Sequence, residues 1–315
     1  MTPLRAACFV SGTGNNLQTA LAFSRHRPDL LSLPVVVTNR PSSRAAAIAR
    51  QAGVRLVEHD FDSVVGRASH CQTEQELLLY HQRARALHDQ INAELYALEH
   101  EVGELDLLVF AYSRWVQGDL LDRFSGRIIN QHPGDLGLLE PDGGRSLTGN
   151  NPVLRALQRG DASVRTSTFV VDKGQDSGSI LVRGPRIAVP TASPISQLAA
   201  DRLEEKQKRA SDRAALLAAL LLWSSERPRY GAGLHEDGSR VLLLAGGGEL
   251  PRTGVDVEVR ETSLMVQCAA LGTDRLEGLT TELSALYAPA LEAVKPLGIG
   301  TQAYSHEPAE LKERL

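Results

Sequence analysis

A chain of 315 residues, 42% hydrophobic and 23% charged, has the balance of a soluble globular protein and is long enough for one large domain plus a smaller addition. That balance excludes disordered, collagen-like, coiled-coil and low-complexity readings. Lys plus Arg total 34 against 38 Asp plus Glu, a net charge of −4, which argues against nucleic acid as a partner because neutralising phosphates requires a positive surface.

The first residues carry one Arg and an apolar stretch too short for a signal-peptide core. Ala6 to Val10 predicts a strand, Ser11-Gly-Thr-Gly-Asn-Asn16 a turn, and Leu17, Ala20 and Leu21 the apolar face of a helix. Leu33 to Thr38 predicts a second, buried strand, Ser42 to Gln51 an Ala-rich helix closed by Gly53, and Val54 to Glu58 a third strand. Such alternation predicts an α/β fold, a mostly parallel twisted sheet flanked by helices.

Residues 73–101 read as one or two helices with apolar positions at Leu77, Leu78, Leu87, Ile91, Leu95 and Leu98, leading into a strand from Leu105 to Ala111. Phe124 to Asn130 reads as a further strand. The Gly-, Pro- and Asp-rich loop from Pro133 to Asn151 is long for a compact domain and is therefore a candidate functional element; a short helix over Val153 to Gln158 follows. Arg165 to Val171 and Ser179 to Val182 read as strands joined by a Gly-rich turn that carries Asp172 and Asp176.

Ser193 to Trp223 reads as helical. Its strongly apolar part, Ala214 to Trp223, is far short of the roughly 20 residues that cross a bilayer, so a buried helix is expected and no membrane association. Short β-like runs at Val241 to Ala245, Val255 to Val259 and Leu264 to Cys268 precede a helix near Leu276 to Val294. The expected division is a larger domain over 1–226 and a small α+β appendage over 227–315. Cys8, Cys71 and Cys268 fit neither a disulfide framework nor a zinc site, so a reducing cytoplasm and no metal are expected.

Two constellations carry chemistry. Gly12, Thr13, Gly14, Asn15 and Asn16 can turn backbone N–H groups toward an anion at a helix N-terminus. Leu17 stands where a dinucleotide fingerprint needs its third Gly, and no Gly-Lys-Ser/Thr follows, so a plain strand-to-helix turn is the alternative. Asn130-Gln-His132-Pro133 falls at the carboxyl end of a strand, where open α/β sheets bind ligands, and strand alternation sends Asn130 and His132 to one side. A lone His beside Pro is by itself more often a loop residue than a catalyst. With Asp176, however, an amide, an imidazole and a carboxylate can together hold a carbonyl oxygen and manage a proton. Asp172 is the rival carboxylate, and more simply a turn former.

Six segments occur in order: CFVSGTGNNLQ, VVVTNRPSSRAAAIARQAGV, LDLLVFAYSRWV, IINQHP, GNNPVLRALQRGD and TSTFVVDKGQDSGSIL. Together, from about Ala7 to Trp223, they resemble the 10-formyltetrahydrofolate-dependent formyltransferases, the superfamily of glycinamide ribonucleotide transformylase and methionyl-tRNA formyltransferase. The resemblance implies a Rossmann-like formyltransferase fold and an enzyme with Asn130, His132 and Asp176 as its catalytic trio. It implies a pterin pocket flanked by Arg114 and Val116 together with Val171, Asp172 and Gln175, and a phosphate cradle at Gly12 to Asn16. Arg85 corresponds to a phosphate-binding Arg, with a solvated helix residue as the alternative. Gln207 falls about where the ribonucleotide enzymes use a Glu to hold the acceptor amine.

The implied co-substrate is 10-formyltetrahydrofolate. The implied partner is a small anionic amine resembling glycinamide ribonucleotide, as in purine biosynthesis, with monomer and homodimer both open. A His132 kept protonated by Asp176 is expected to stabilise the formyl oxygen. Hydrolysis of the same donor, or noncatalytic folate or nucleotide binding, are the other readings. The chain departs from the ribonucleotide enzymes where His-Pro-Ser-Leu-Leu-Pro becomes His132-Pro-Gly-Asp-Leu-Gly137, with an insertion through Ser146, and where Phe169 replaces a His.

Overall fold

Burial with a period of two along β1 (Leu4–Val10) sets the architecture: Ala6, Cys8 and Val10 enter one apolar core, Ala7 and Phe9 another. A strand buried on both faces needs a layer above and below it. The computed structural model describes residues 2–191, 195–260 and 263–292. After β1 come α1 (Asn15–His26), β2 (Leu31–Thr38), α2 (Arg44–Gln51), β3 (Arg55–Glu58), the short α3 (Phe61–Val64), α4 (Glu74–Val102), β4 (Leu107–Ala111), α5 (Asp119–Arg123) and β5 (Ile128–His132). They continue with α6 (Pro152–Arg159), β6 (Ser163–Val164), β7 (Ser167–Val170), β8 (Ile180–Arg183), β9 (Ile187–Ala188), α7 (Gln197–Gln207) and α8 (Arg213–Glu226). The last elements are β10 (Arg229–Leu234), β11 (Arg240–Leu243), β12 (Val255–Arg260), β13 (Ser263–Gln267) and α9 (Thr273–Glu292).

Nine strands form one sheet in the order β13-β12-β8-β7-β5-β4-β1-β2-β3. From β3 to β5 neighbours are parallel; β7 is antiparallel to β5 and to β8, β12 is parallel to β8, and β13 turns back on β12. The sheet is thus mostly parallel and flanked by helices. One face packs on α1, α8 and α9, the other on α3, α4 and α5.

Residues 74–102 form a single helix, started by a capping box in which Thr73 and Glu76 bond each other's backbone N–H. The strand expected from Phe124 begins only at Ile128, because Phe124 closes α5, its N–H bonded to Leu120 O at 3.2 Å and its ring buried. The long loop after β5 is not structureless. Glu140 N–H bonds Gly144 O at 2.7 Å and Leu139 pairs with Arg145, so the inserted residues fold back as a tight hairpin.

α8 is buried around most of its circumference, because the sheet covers one side and α1 and α9 the other. A π-helical turn over Lys208–Asp212 separates it from α7. The start of the helix expected from Ser193 and the end of the one expected to reach Val294 lie outside the described residues. No helix among the described residues is long and apolar enough to cross a membrane. The α+β segment after 226 is built into the main sheet through β12 on β8, while Leu279, Leu283 and Leu286 of α9 complete the core over α8.

Candidate active site

The carboxyl ends of β4 and β5 open on a cleft of about 260 Å³. Ile128 belongs to the core on the α4 side and Ile129 to the core on the α8 side, so alternation carries Asn130 and His132 to the α4 face. Gln131 points the other way and donates to Asp212 O at 2.7 Å. Asn130, His132 and Asp176 all line the cleft.

His132 Nδ1 lies 3.4 Å from Asp176 Oδ2, and its Nε2 lies 2.6 Å from Leu147 O. Asp176 Oδ2 also accepts the Gly149 N–H at 2.7 Å. Asp176 has a φ of 52°, the left-handed region that Asp tolerates better than most side chains. That conformation turns its side chain toward β5.

Burial drives the His132 pKa below its ordinary value, against the opposing pull of the Asp176 carboxylate and the Leu147 carbonyl; Arg155 lowers it further and Glu204 raises it. Burial thus works against the charged ring expected from sequence, while the two acceptors facing its nitrogens work for it. Because a carbonyl oxygen only accepts, Nε2 carries a proton donated to Leu147 O, and Nδ1 faces the Asp176 carboxylate.

Arg114, Val116, Val171 and Gln175 line the same cleft. Arg114 is ion-paired with Asp62 and lies over the Phe61 ring at 4.9 Å. Asp172 is not in the lining: its Oδ1 accepts from Ser177 Oγ at 2.6 Å and from Gly174 N–H at 3.0 Å, the work of a turn former. Gly12 to Asn16 form the α1 N-terminus outside the cleft, tied to it where Ser113 N–H donates to Ser11 Oγ at 2.9 Å.

Arg85 borders an adjoining hollow of about 420 Å³ with His81 and Lys173, and Trp115 and Val116 are shared between the two. Gln207 is corrected as well. Fully buried, it donates to Thr166 Oγ1 at 2.9 Å and is no wall of the cleft. The same Thr166 hydroxyl donates to Asp212, whose carboxyl burial pushes up to about 6.

Sequence reasoning missed Phe110, Tyr112 and Asn150 in the lining, and Leu147 and Gly149 as partners of the His132–Asp176 pair. The GNNP segment is the available signal for Gly149 and Asn150; Phe110 and Tyr112 at a strand end and Leu147 in the loop carry none. The Tyr112 hydroxyl is buried without a protein partner.

A sheet that delivers an amide, an imidazole and a carboxylate to one cleft at its strand ends defines an α/β enzyme with a site suited to a carbonyl group. The chain belongs to the formyl transferase family, whose pattern matches residues 4–214. Phosphoribosylglycinamide formyltransferase from Coxiella burnetii is similar in structure with 19% identity and a TM-score of 0.54, over 81% of this chain and 99% of that one. The enzyme of the same name from Anaplasma phagocytophilum gives 19% identity and 0.54 over 82% and 99%. Formyltetrahydrofolate deformylase from Burkholderia mallei gives 17% and 0.51 over 77% and 70%. At these identities the likeness speaks for the fold. No curated protein matches the sequence significantly.

Proposed function

We propose that the protein transfers a formyl group from 10-formyltetrahydrofolate to the amine of a small anionic acceptor of the glycinamide ribonucleotide kind. The observation that carries the reading is the convergence of Asn130, His132 and Asp176 on one cleft, with His132 Nδ1 3.4 Å from the Asp176 carboxylate. The cleft suits the donor. Phe110, Val116 and Phe169 offer apolar walls to a pterin ring.

In this reading the Asn130 amide donates to the formyl oxygen as negative charge grows there. The His132–Asp176 pair takes up a proton from the attacking amine, between Nδ1 and the carboxylate, and returns it to the departing folate nitrogen. One C–N bond forms, another breaks, and the proton passes between the two nitrogens. Asp176 and the Leu147 carbonyl stabilise the imidazolium while it exists, each facing one ring nitrogen. The N–H groups of Gly12 to Asn16 at the start of α1 are the proposed seat of the acceptor's anionic group.

The test is purified protein with 10-formyltetrahydrofolate and a panel of amines that includes glycinamide ribonucleotide, amino sugars and amino acids. Formylated amine and tetrahydrofolate in equal amounts are expected. Formate released without any amine would make the protein a hydrolase, and saturable folate binding with no turnover would make it a noncatalytic binder.

A further inference from the structure

The catalytic-loop residue Asp176 is held in place from two parts of the chain that depart from the family pattern. Arg145 belongs to the inserted hairpin after β5. Its Nη1 donates to Asp176 O at 2.7 Å and to Gly178 O at 2.8 Å. Its Nε donates to Asp237 Oδ2 at 2.9 Å, and Nη2 lies 2.9 Å from the same oxygen, off the hydrogen-bond axis. Asp237 sits at the tip of the β10–β11 hairpin, beyond the residues that match the family. The pair is sealed from water, with side-chain exposures of 4% and 0%.

The surrounding contacts give this relay a fixed base. Asp237 Oδ1 accepts from the Ser239 hydroxyl at 2.6 Å and amide at 3.0 Å. Burial acts to raise the Asp237 pKa, but Ser239 and Arg145 outweigh it, so the carboxylate stays ionised beside the guanidinium. Ser179 Oγ donates to Arg240 O at 2.5 Å, a second tie from the Asp176 turn to the same hairpin. The turn itself has little room to adjust. A Cβ at Gly178 would fall 1.7 Å from Val170 O, and Asp176 is in the left-handed region.

We infer that Asp237 is a positioning residue for catalysis: through Arg145 it fixes the Asp176 backbone, and with it the distance from the Asp176 carboxylate to His132. A buried guanidinium without its carboxylate would be drawn elsewhere, releasing both carbonyls. The C-terminal segment then has a catalytic purpose, as the support of a loop on which the His132–Asp176 geometry depends. This inference rests on the formyl-transfer reading only for its effect on turnover.

The experiment compares the parent, Asp237→Ala, Asp237→Asn and the double variant Arg145→Met with Asp237→Leu. The double variant removes both buried charges while keeping apolar volume, so its thermal stability should recover relative to Asp237→Ala. Three quantities are read: the unfolding temperature, kcat with KM for the folate, and the His132 titration followed by ¹⁵N NMR of labelled imidazole. Asp237→Ala and the double variant should both lose about 10- to 100-fold in kcat, the scale of a misplacement near 1 Å, with KM for the folate little changed. Asp237→Asn, which can still accept from Arg145, should fall between them and the parent.

In the same variants His132 should titrate below the parent, because a displaced Asp176 carboxylate no longer favours the charged ring, while Arg155 and Glu204 remain. Stability and kcat recovering together in the double variant would reduce the pair to a structural contact and overturn the inference, as would an unmoved His132 titration. Should the parent lack transferase activity, the functional reading fails while the His132 titration still decides the positioning role.

Discussion

Replacing Asn130 by Ala should lower turnover on the order of 10²–10³-fold, the usual cost of one oxyanion donor, and His132 by Ala about 10²–10⁴-fold, that of a general acid–base group, with a much smaller change in folate binding. Measured kcat and folate Kd for the two variants check this. The direction of the His132 shift makes a sharper statement. A neutral imidazole that accepts a proton gives a kcat/KM that is flat at alkaline pH and falls as acid protonates the free ring at its depressed pKa; an imidazolium required at rest gives the opposite slope. Asp176→Asn removes the carboxylate that favours the charged ring, so the acid limb should move to lower pH and kcat should drop. A pH profile of both proteins separates the two mechanisms.

At the level of elements, β1 to β4 with α1, α2 and α4 could be read from the sequence because buried strands and helices alternate with clear punctuation at Gly14 and Gly53, whereas the short α3 and α5 could not, and α5 took the residues expected to begin β5. The meeting of Asn130, His132 and Asp176 in one cleft could be read because each sits in a short motif, two of them at a strand end. Gln207 could not be placed: its direction depends on the π turn that follows α7, which follows from buried bonds to Thr166 and not from local pattern. Nor could Arg145, whose partner Asp237 lies on a different element across the chain. The α1 turn is the case where local chemistry decides. Gly14 has a φ of 79°, and a Cβ there would lie 2.7 Å from Ile48 Cδ1 and 3.0 Å from Ala45 Cα. Gly14→Ala adds a left-handed penalty of about 1–2 kcal/mol to an overpacking cost of about 1–3 kcal/mol, so a loss of about 2–5 kcal/mol is expected in urea denaturation.

For the whole molecule, the two cores on either side of the sheet set how the fold responds to acid. His88, on α4, is buried between the Phe61 and Tyr112 rings, its centroid 5.9 Å and 6.1 Å from theirs, and neither ring nitrogen has a partner. Burial lowers its pKa from 6.5 to about 4. Below pH 6.5 the unfolded chain therefore takes up a proton that the folded chain refuses until about pH 4, so stability present above 6.5 drains away through that window. At about 1.4 kcal/mol per pH unit the loss approaches 3 kcal/mol at pH 4. His132, also depressed, adds to it in the same direction, whereas Asp212, raised to about 6, destabilises as pH rises toward 6 and so opposes them. His88→Leu isolates one contribution. Urea unfolding of parent and variant at pH 7 and pH 4 should show the parent losing about 3 kcal/mol more than the variant, and equal losses would mean that the α4 core takes up the proton without opening.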